Sequence, residues 1–391
     1  SLLFSDINDD GLLDLLAGND FEIPDEIYLA DDQGQLDQVT FSDGLIPHTT
    51  TTTMAIKTGD LHNDGSPELY FAQIAGRSSG VSQTLKMQPL EQYCDGIENA
   101  DALITCQRNM EIKTWYKSGN NFDPTYAKRC QTLGEPDRAQ CKAMLVKDLA
   151  IQRNDPKICK LIAKSQPVAQ AYCAIHFWPS RPVTQEDKNK SIPQILRSNV
   201  LLERGSEDVF TDVAEAQKLD VGGWSWDTKF GDFDNDGWQD VYIVNGTWVP
   251  NEVSPSNLFF RNDGQGGFHE QSGPFGLEDY LMTATASQFD MDSDGDLDIL
   301  THPVNGPMVM FTNNNQTGYA ITLRLRDSRG TQYAVGALVE IETGNGIQPR
   351  VDQLGGRSMS LDAFVVLSGF RALVDIQSVS DRVPAELMKA V

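Results

Sequence analysis

The sequence predicts a mainly β fold: a β-propeller of which four repeats are visible, with an α-helical insertion and a small C-terminal β domain. Three observations predict it. A short acidic segment with a central glycine occurs four times, and two of the intervals between its copies are 54 and 58 residues. A basic segment that holds all 6 cysteines interrupts the second unit.

The repeated segment has an acid at position 1, glycine at position 6 and an acid at position 9, followed by strand-forming residues. Its copies are "SDINDDGLLDLLAG" from Ser5, "GDLHNDGSPELYFA" from Gly59, "KFGDFDNDGWQDVYIVNG" from Lys229 and "QFDMDSDGDLDILT" from Gln288. Segments from Glu26, Asn199 and Asn257 have two apolar runs around a glycine-containing turn, which predicts a hairpin. One unit is therefore predicted to contain about four short strands.

The spacing of the copies predicts the domain organisation. Asp60 and Asp232 are 172 residues apart, against 58 for Asp232 to Asp290, so the second unit carries the insertion. We predict repeat 1 and part of repeat 2 in 1–76, a helical cysteine-rich insertion in 77–197, the end of repeat 2 with repeats 3 and 4 in 198–317, and a C-terminal β domain in 318–391.

The loop spacing D-x-[DN]-x-[DN]-G-x-x-D predicts calcium sites. Ca²⁺ takes six to eight oxygen ligands, and alternate residues of a tight loop point to one side, so positions 1, 3 and 5 converge. Position 7 offers a backbone carbonyl and position 9 closes the shell. The predicted ligands are Asp6, Asn8, Asp10, the carbonyl of Leu12, and Asp14; Asp60, Asp64, the carbonyl of Ser66, and Glu68; Asp232, Asp234, Asp236, the carbonyl of Trp238, and Asp240; Asp290, Asp292, Asp294, the carbonyl of Asp296, and Asp298.

Two alternatives apply to these loops. Asn-Asp-Gly clusters also form ordinary turns, although three near-perfect copies at one period favour calcium. In the second loop His62 stands at position 3, and imidazole is a poor ligand for a hard cation. We therefore expect three calcium ions, with the Asp60–Glu68 site undecided, and a structural role for each ion.

The charge of the chain limits its partners. The formal net charge is −25, which argues against nucleic-acid binding, and no apolar run is long enough to cross a bilayer. The sequence has neither an initiator methionine nor a signal peptide, which predicts a mature chain or a fragment.

The segment between Arg77 and Arg197 differs from the rest, with 18 Lys+Arg against 12 Asp+Glu. Apolar residues at helical spacing predict helices, with starts near Asp137 and at Asp155–Pro156. Cysteine intervals of 12, 11 and 14 residues favour sequential disulfides, whereas zinc and free thiols are the alternatives. The predicted pairs are Cys94–Cys106, Cys130–Cys141 and Cys159–Cys173.

Residues 222–246 and 283–307 resemble the FG-GAP/VCBS repeats of the cartilage-acidic-protein-like group. The segment "LRLRDSRGTQYAVGALVEIETGNGIQPRVDQLGGRSMS", from Leu323 to Ser360, resembles the ASPIC/UnbV domain of that group. The resemblance covers about residues 1–76 and 198–360. It implies an extracellular calcium-bearing propeller linked to adhesion or matrix binding. Because the group's propeller usually has more blades than four, it also implies either that N-terminal blades are missing from this chain or that the ring is unusual.

We therefore expect a secreted, cell-surface or periplasmic binding module without a transmembrane segment. Its partner would be a protein or glycan at the cell surface or matrix, met through the helical insertion and the blade loops, and self-association is a further expectation. An extracellular polysaccharide lyase or hydrolase and a structural subunit of a surface assembly are the alternatives. No motif assigns a catalytic residue.

Overall fold

A computed structural model describes most of the N-terminal 315 residues and the backbone strands of the C-terminal part. The described ranges are 1–20, 23–74, 130–178, 183–196, 198–246, 256–279, 281–304 and 307–315, scattered residues between 92 and 110, and the strands beyond 319. The chain divides into two compact units, Ser1–Lys113 with Glu186–Val391, and Thr114–Gln185.

The first unit contains four antiparallel sheets that follow one another along the chain. The first sheet consists of β1 (Leu2–Ser5), β2 (Asp14–Ala17), β3 (Glu26–Ala30) and β4 (Leu36–Gln38). The second consists of β6 (Thr53–Gly59), β7 (Glu68–Gln73), β9 (Val200–Arg204) and β10 (Phe210–Asp212), and β5 (Thr49–Thr50) pairs in parallel with β8 (Gln194–Ile195). The third consists of β11 (Ser225–Gly231), β12 (Asp240–Asn245), β13 (Leu258–Asn262) and β14 (Phe268–Glu270). The fourth consists of β15 (Thr283–Phe289), β16 (Asp298–Pro303) and β17 (Val309–Phe311).

Neighbouring sheets bury apolar residues against each other. Ile56 and Leu202 of the second sheet cluster with Leu16 of the first. Phe230 and Val241 of the third sheet cluster with residues of the second, and Ile299 of the fourth clusters with residues of the third. The first strands of neighbouring sheets, β1, β6, β11 and β15, also contact one another in sequence.

The second sheet is assembled from two distant parts of the chain. β7 ends at Gln73, and β9 begins at Val200 and pairs with it antiparallel, with Phe71 opposite Val200. Short helices flank this return: α3 (Gln185–Lys190) precedes it and α4 (Ala214–Gln217) follows β10. The residues between the two strands therefore leave and rejoin the same sheet.

The C-terminal part forms two three-stranded sheets. One has the order β21 (Arg357–Ser360), β18 (Ala320–Asp327), β23 (Ala372–Val379), and the other has the order β20 (Gly346–Val351), β19 (Leu338–Thr343), β22 (Ala363–Val366). With the four preceding sheets, they confirm the prediction of a mainly β chain.

The second unit is helical. Helix α1 (Asp137–Gln152) begins at the predicted Asp137, whereas the predicted start at Asp155–Pro156 leads into a 3-10 turn, Ile158–Leu161, instead of an α-helix. Helix α2 (Pro167–His176) follows. The core between these elements contains small residues, among them Ala143, Ala150 and Ala169.

Two of the predicted disulfides are confirmed. Cys130 pairs with Cys141, and Cys159 pairs with Cys173, with Cα–Cα distances of 5.5 and 5.7 Å. Cys94 is bonded in a disulfide, and its predicted partner Cys106 lies outside the described residues. In the described part of the chain, no helix combines the length and apolar character needed to span a membrane.

Candidate metal sites in four acidic loops

Each acidic segment forms the loop between the first and second strands of its sheet. We call these loops 1 to 4, from Asp6 to Asp14, Asp60 to Glu68, Asp232 to Asp240, and Asp290 to Asp298. The residue at position 9 opens the second strand in every case. The same point of each sheet therefore carries the same pattern of oxygen-bearing residues.

The backbone of the four loops turns in the same way. The residue at position 4 has a left-handed conformation, with φ between 52 and 63° at Asp9, Asn63, Asn235 and Ser293. The glycine at position 6 also has a positive φ, between 82 and 97° in all four loops. Glycine adopts this conformation without steric cost, which explains its place in the repeat.

The carboxylate at position 1 caps the turn. In loop 3 both oxygens of Asp232 accept backbone hydrogen bonds, from the N–H of Asp236 at 3.0 Å and of Gly237 at 2.9 Å. Asp6, Asp60 and Asp290 accept the same two bonds in their loops, at 2.8 to 3.2 Å. The side chain at position 1 is thus held where a cation at the loop centre would meet it.

The carboxylate at position 9 ties the loop to the sheet. In loop 3 the Oδ2 of Asp240 accepts from the N–H of Phe233 at 3.0 Å, and its Oδ1 accepts from the N–H of Asn262 on the third strand at 2.9 Å. Asp14 and Asp298 accept the equivalent pair of bonds. All three aspartates are 0% exposed, so each places a buried carboxylate beside the turn.

Loops 3 and 4 bring three carboxylates together. Oxygens of Asp232, Asp234 and Asp240 lie within 4.8 Å of one another, and so do oxygens of Asp290, Asp292 and Asp294. Such oxygen-only groups fit a hard divalent cation, in contrast to thiolate or imidazole groups. Within the described residues, these are the two groups in which three carboxylates lie this close together.

Loop 1 has the same backbone turn, but it is not among the loops that bring three carboxylates together. Its position 3 is Asn8, whose amide donates to Asp10 at 2.9 Å and whose Oδ1 accepts from the N–H of Asp10 at 3.3 Å. An amide oxygen is also a calcium ligand. Loop 1 therefore supplies oxygen ligands of the kinds that calcium binds, with one carboxylate fewer than loop 3.

Burial makes two acids of loop 3, Asp236 and Asp240, costly to ionise. It raises the pKa of Asp240 well above its usual range. Burial and the neighbouring Asp234 carboxylate raise the pKa of Asp236 to about 6. A bound cation would offset the repulsion between the four carboxylates that loop 3 places within nine residues.

Arg261 on the third strand interacts with the same loop. Its Nε donates to Asp234 Oδ2, and its Nη2 donates to Asp236 Oδ2 at 2.6 Å. The guanidinium therefore engages the carboxylates at positions 3 and 5, which are predicted calcium ligands. The role of Arg261 is not predictable from the loop pattern, because a strand residue 27 positions from Asp234 carries no local signal.

Loop 2 differs from the other three. The Nδ1 of His62 lies 2.8 Å from the Oε1 of Glu68, which is 1% exposed, and the Oε2 of Glu68 accepts from the N–H of Leu61. The hydrogen bond with Glu68 raises the pKa of His62 to about 9, so its imidazole is protonated at neutral pH. The predicted ligands Asp60 and Asp64 remain in the turn, but the acid at position 9 already has a cationic partner.

The loops are joined side by side. Asn63 of loop 2 donates to the carbonyl of Gly237 in loop 3 at 3.0 Å, and Asn235 of loop 3 donates to Asp296 of loop 4 at 2.5 Å. Arg204, on the third strand of the second sheet, lies 3.8 Å from Asp9 of loop 1. The residue at position 4 thus reaches the next unit in three successive loops, a role that the sequence pattern alone does not reveal.

Comparison with models of protein families and with curated proteins gives no match to this chain. The site is therefore defined by its own geometry: four equivalent turns, two of which gather three carboxylates, and one of which contains its own cation.

Proposed function

We propose that this chain is a calcium-stabilised β-propeller that acts as an extracellular binding or adhesion module. The observation that carries the proposal is the grouping of three carboxylates in loop 3 and again in loop 4, on turns with the same backbone hydrogen bonds. Calcium would bind loops 1, 3 and 4, and His62 would take its place in loop 2.

The arrangement of the sheets supports a propeller. Antiparallel sheets that pack in chain order, with their first strands in contact, are typical of consecutive blades. Phe230 and Phe268 of the third sheet are 4% and 1% exposed, because they pack on the second sheet. Their equivalents in the first sheet, Phe4 and Leu36, are 57% and 44% exposed. We infer that a further sheet of the same kind packs on this face, as the FG-GAP resemblance implies.

The helical unit supports a binding role. Val168, Tyr172 and Ile175 of helix α2 share one face at spacings of four and three residues, and each is at least 55% exposed. Lys157, Lys160 and Lys164 are exposed in the preceding segment. An exposed apolar stripe beside basic residues fits an acidic partner surface. The disulfides of this unit fit an extracellular location.

The cavity beside the fourth sheet does not favour the enzyme alternative. The cavity beside the fourth sheet is lined by apolar residues and by amides such as Asn313, without the converging pair of acids that polysaccharide cleavage requires.

The binding role is tested by capture on immobilised protein from an extracellular-surface extract. We expect partners that are retained with calcium, released by a chelator, and lost with Tyr172→Asp. A matched variant, Ala174→Asp, adds the same charge at an exposed position on another side of the same helix and should retain them. Retention that is insensitive to the chelator and to Tyr172→Asp would contradict the proposal.

A further inference from the structure

Among the described residues, the fourth sheet has three strands, whereas each of the first three sheets has four. In the first three sheets the third strand pairs on both sides, with the second strand and with a short fourth strand. In the described part of the chain, β17 pairs with β16 alone. All three residues of β17 are half-buried, whereas β13 has four buried residues out of five.

The fourth strands of the second and third sheets begin with the same residue type. Phe210 stands opposite Arg204, and Phe268 stands opposite Asn262, so that each phenylalanine follows the end of the third strand by six residues. Both are buried, at 5% and 1% exposure. Phe268 lies in a cluster with Leu61, Leu219, Val241 and Phe260.

The fourth sheet has a cavity of about 560 Å³ in the equivalent place. Its lining includes Phe233, Leu277, Ile299 and Phe311, which are the counterparts of Leu61, Leu219, Val241 and Phe260. The space that Phe268 fills in the third sheet is thus open in the fourth.

Hydrogen bonds establish this correspondence. Asn262 bonds to Asp240 and to the carbonyl of Leu61, and Asn313 bonds to Asp298 and to the carbonyl of Phe233. The N–H of Leu219 donates to the carbonyl of Ala214. In the equivalent turn, the N–H of Leu277 donates to the carbonyl of Ser272.

The next strand along the chain, β18, pairs with strands other than β17. β18 begins at Ala320 and pairs with β21 on one edge and with β23 on the other. Three of its first four residues, Ile321, Thr322 and Leu323, therefore already have a strand partner on both sides.

We propose that the edge of β17 and the adjoining cavity form an acceptor for an extended segment of another polypeptide, anchored by one large apolar side chain. The segment would run antiparallel to β17, with its anchor opposite Asn313 and the next two residues opposite Thr312 and Phe311, in the register of β14 on β13. Backbone hydrogen bonds would give affinity and the cavity would select an aromatic residue. This acceptor would bind a polypeptide at a strand edge instead of a metal ion in a loop, so it goes beyond the proposed function.

The probe is a fluorescein-labelled peptide of residues 265–273, "QGGFHEQSG", which is the chain's own fourth strand from the third sheet. Fluorescence anisotropy should show saturable binding to the wild-type chain in calcium. Replacing Phe268 of the peptide by alanine should weaken binding at least about tenfold, because the buried ring supplies most of the apolar contact. Phe311→Trp in the protein narrows the cavity and should weaken binding, whereas the control Met308→Trp, at a residue that does not line the cavity, should not.

Two outcomes would overturn the proposal. One is the absence of saturable binding to the wild-type chain at peptide concentrations up to about 1 mM. The other is binding that appears only in Tyr319→Ala. Tyr319 follows Asn313 by six residues, as Phe268 follows Asn262, so that result would mean that the chain fills the acceptor itself. A concentration-dependent dimer that the peptide disperses would support the proposal and identify the donor as a second copy.

Discussion

The Nδ1 of His62 lies 2.8 Å from the Oε1 of Glu68, and this pair distinguishes loop 2 from the other three acidic loops. The side chains of the two residues are 18% and 1% exposed. Glu68 holds position 9, where the other loops have an aspartate that is completely buried. In loop 2 the imidazolium of His62 therefore balances the negative charge of Glu68, and we assign this role to calcium in the other loops.

Changing His62 to aspartate should create a fourth calcium site. The substitution removes the competing cation and restores an acid at position 3, so that loop 2 matches the pattern of loop 3. Native mass spectrometry should show one calcium ion more than in the wild-type chain. The control His62→Gln removes the cation without adding an acid and should gain none. An unchanged count in His62→Asp would mean that the loop is closed for another reason.

The His62–Glu68 pair should also give the fold a characteristic pH dependence. The pKa of His62 is raised from 6.5 to about 9 in the folded chain. The stabilisation is therefore fully present below about pH 6.5 and is lost as the pH rises through about 9. Urea unfolding in a chelator should show wild-type chain more stable than His62→Gln by about 2 kcal/mol at pH 6, with the difference disappearing near pH 10. A difference that grows with pH would contradict this interpretation.

Removing Arg261 should strengthen calcium binding at loop 3. The guanidinium engages oxygens of Asp234 and Asp236 that calcium requires, so the ion must displace it. We expect Arg261→Gln to raise the affinity of this loop about three- to tenfold in calorimetric titration. The control Arg153→Gln removes the same charge from the helical unit and should have no effect. Weaker binding in Arg261→Gln would mean that the arginine supports the site.

A substitution at Asp292 tests the metal-binding role of a loop carboxylate separately from its hydrogen-bonding role. Asp292 belongs to the three-carboxylate group of loop 4, yet no described backbone N–H donates to it, in contrast to Asp290. Asp292→Asn should therefore weaken calcium binding at loop 4 at least about tenfold. In a chelator, its free energy of unfolding should stay within about 0.5 kcal/mol of wild type. Equal losses with and without calcium would contradict a metal role for this residue.

The local features of the loops were predictable from the sequence, because they depend on nearby residues. Glycine at position 6 and acids at positions 1 and 9 specify the turn, and the cysteine spacing specified the two described disulfides. Arg261 of loop 3 and Gln217, whose amide lies 2.7 Å from His62, were not predictable. Both reach their loops from other strands or helices, so their role depends on tertiary packing.

The 3-10 turn after Asp155 shows the limit of the local signals themselves. The side chain of Asp155 accepts from the N–H of Lys157 at 2.9 Å, as a helix start would require. The segment nevertheless ends at Leu161, and Cys159 within it is bonded to Cys173 on helix α2. The same capping interaction is therefore followed by a single 3-10 turn. Packing within the small helical unit sets the length of this segment.

The most direct test of the account is native mass spectrometry of the unreduced chain at about 1 mM calcium, before and after chelation. We predict the loss of three calcium ions, from loops 1, 3 and 4. A chain that carries no calcium at this concentration would reduce the four loops to ordinary turns and contradict the proposal of a calcium-stabilised module.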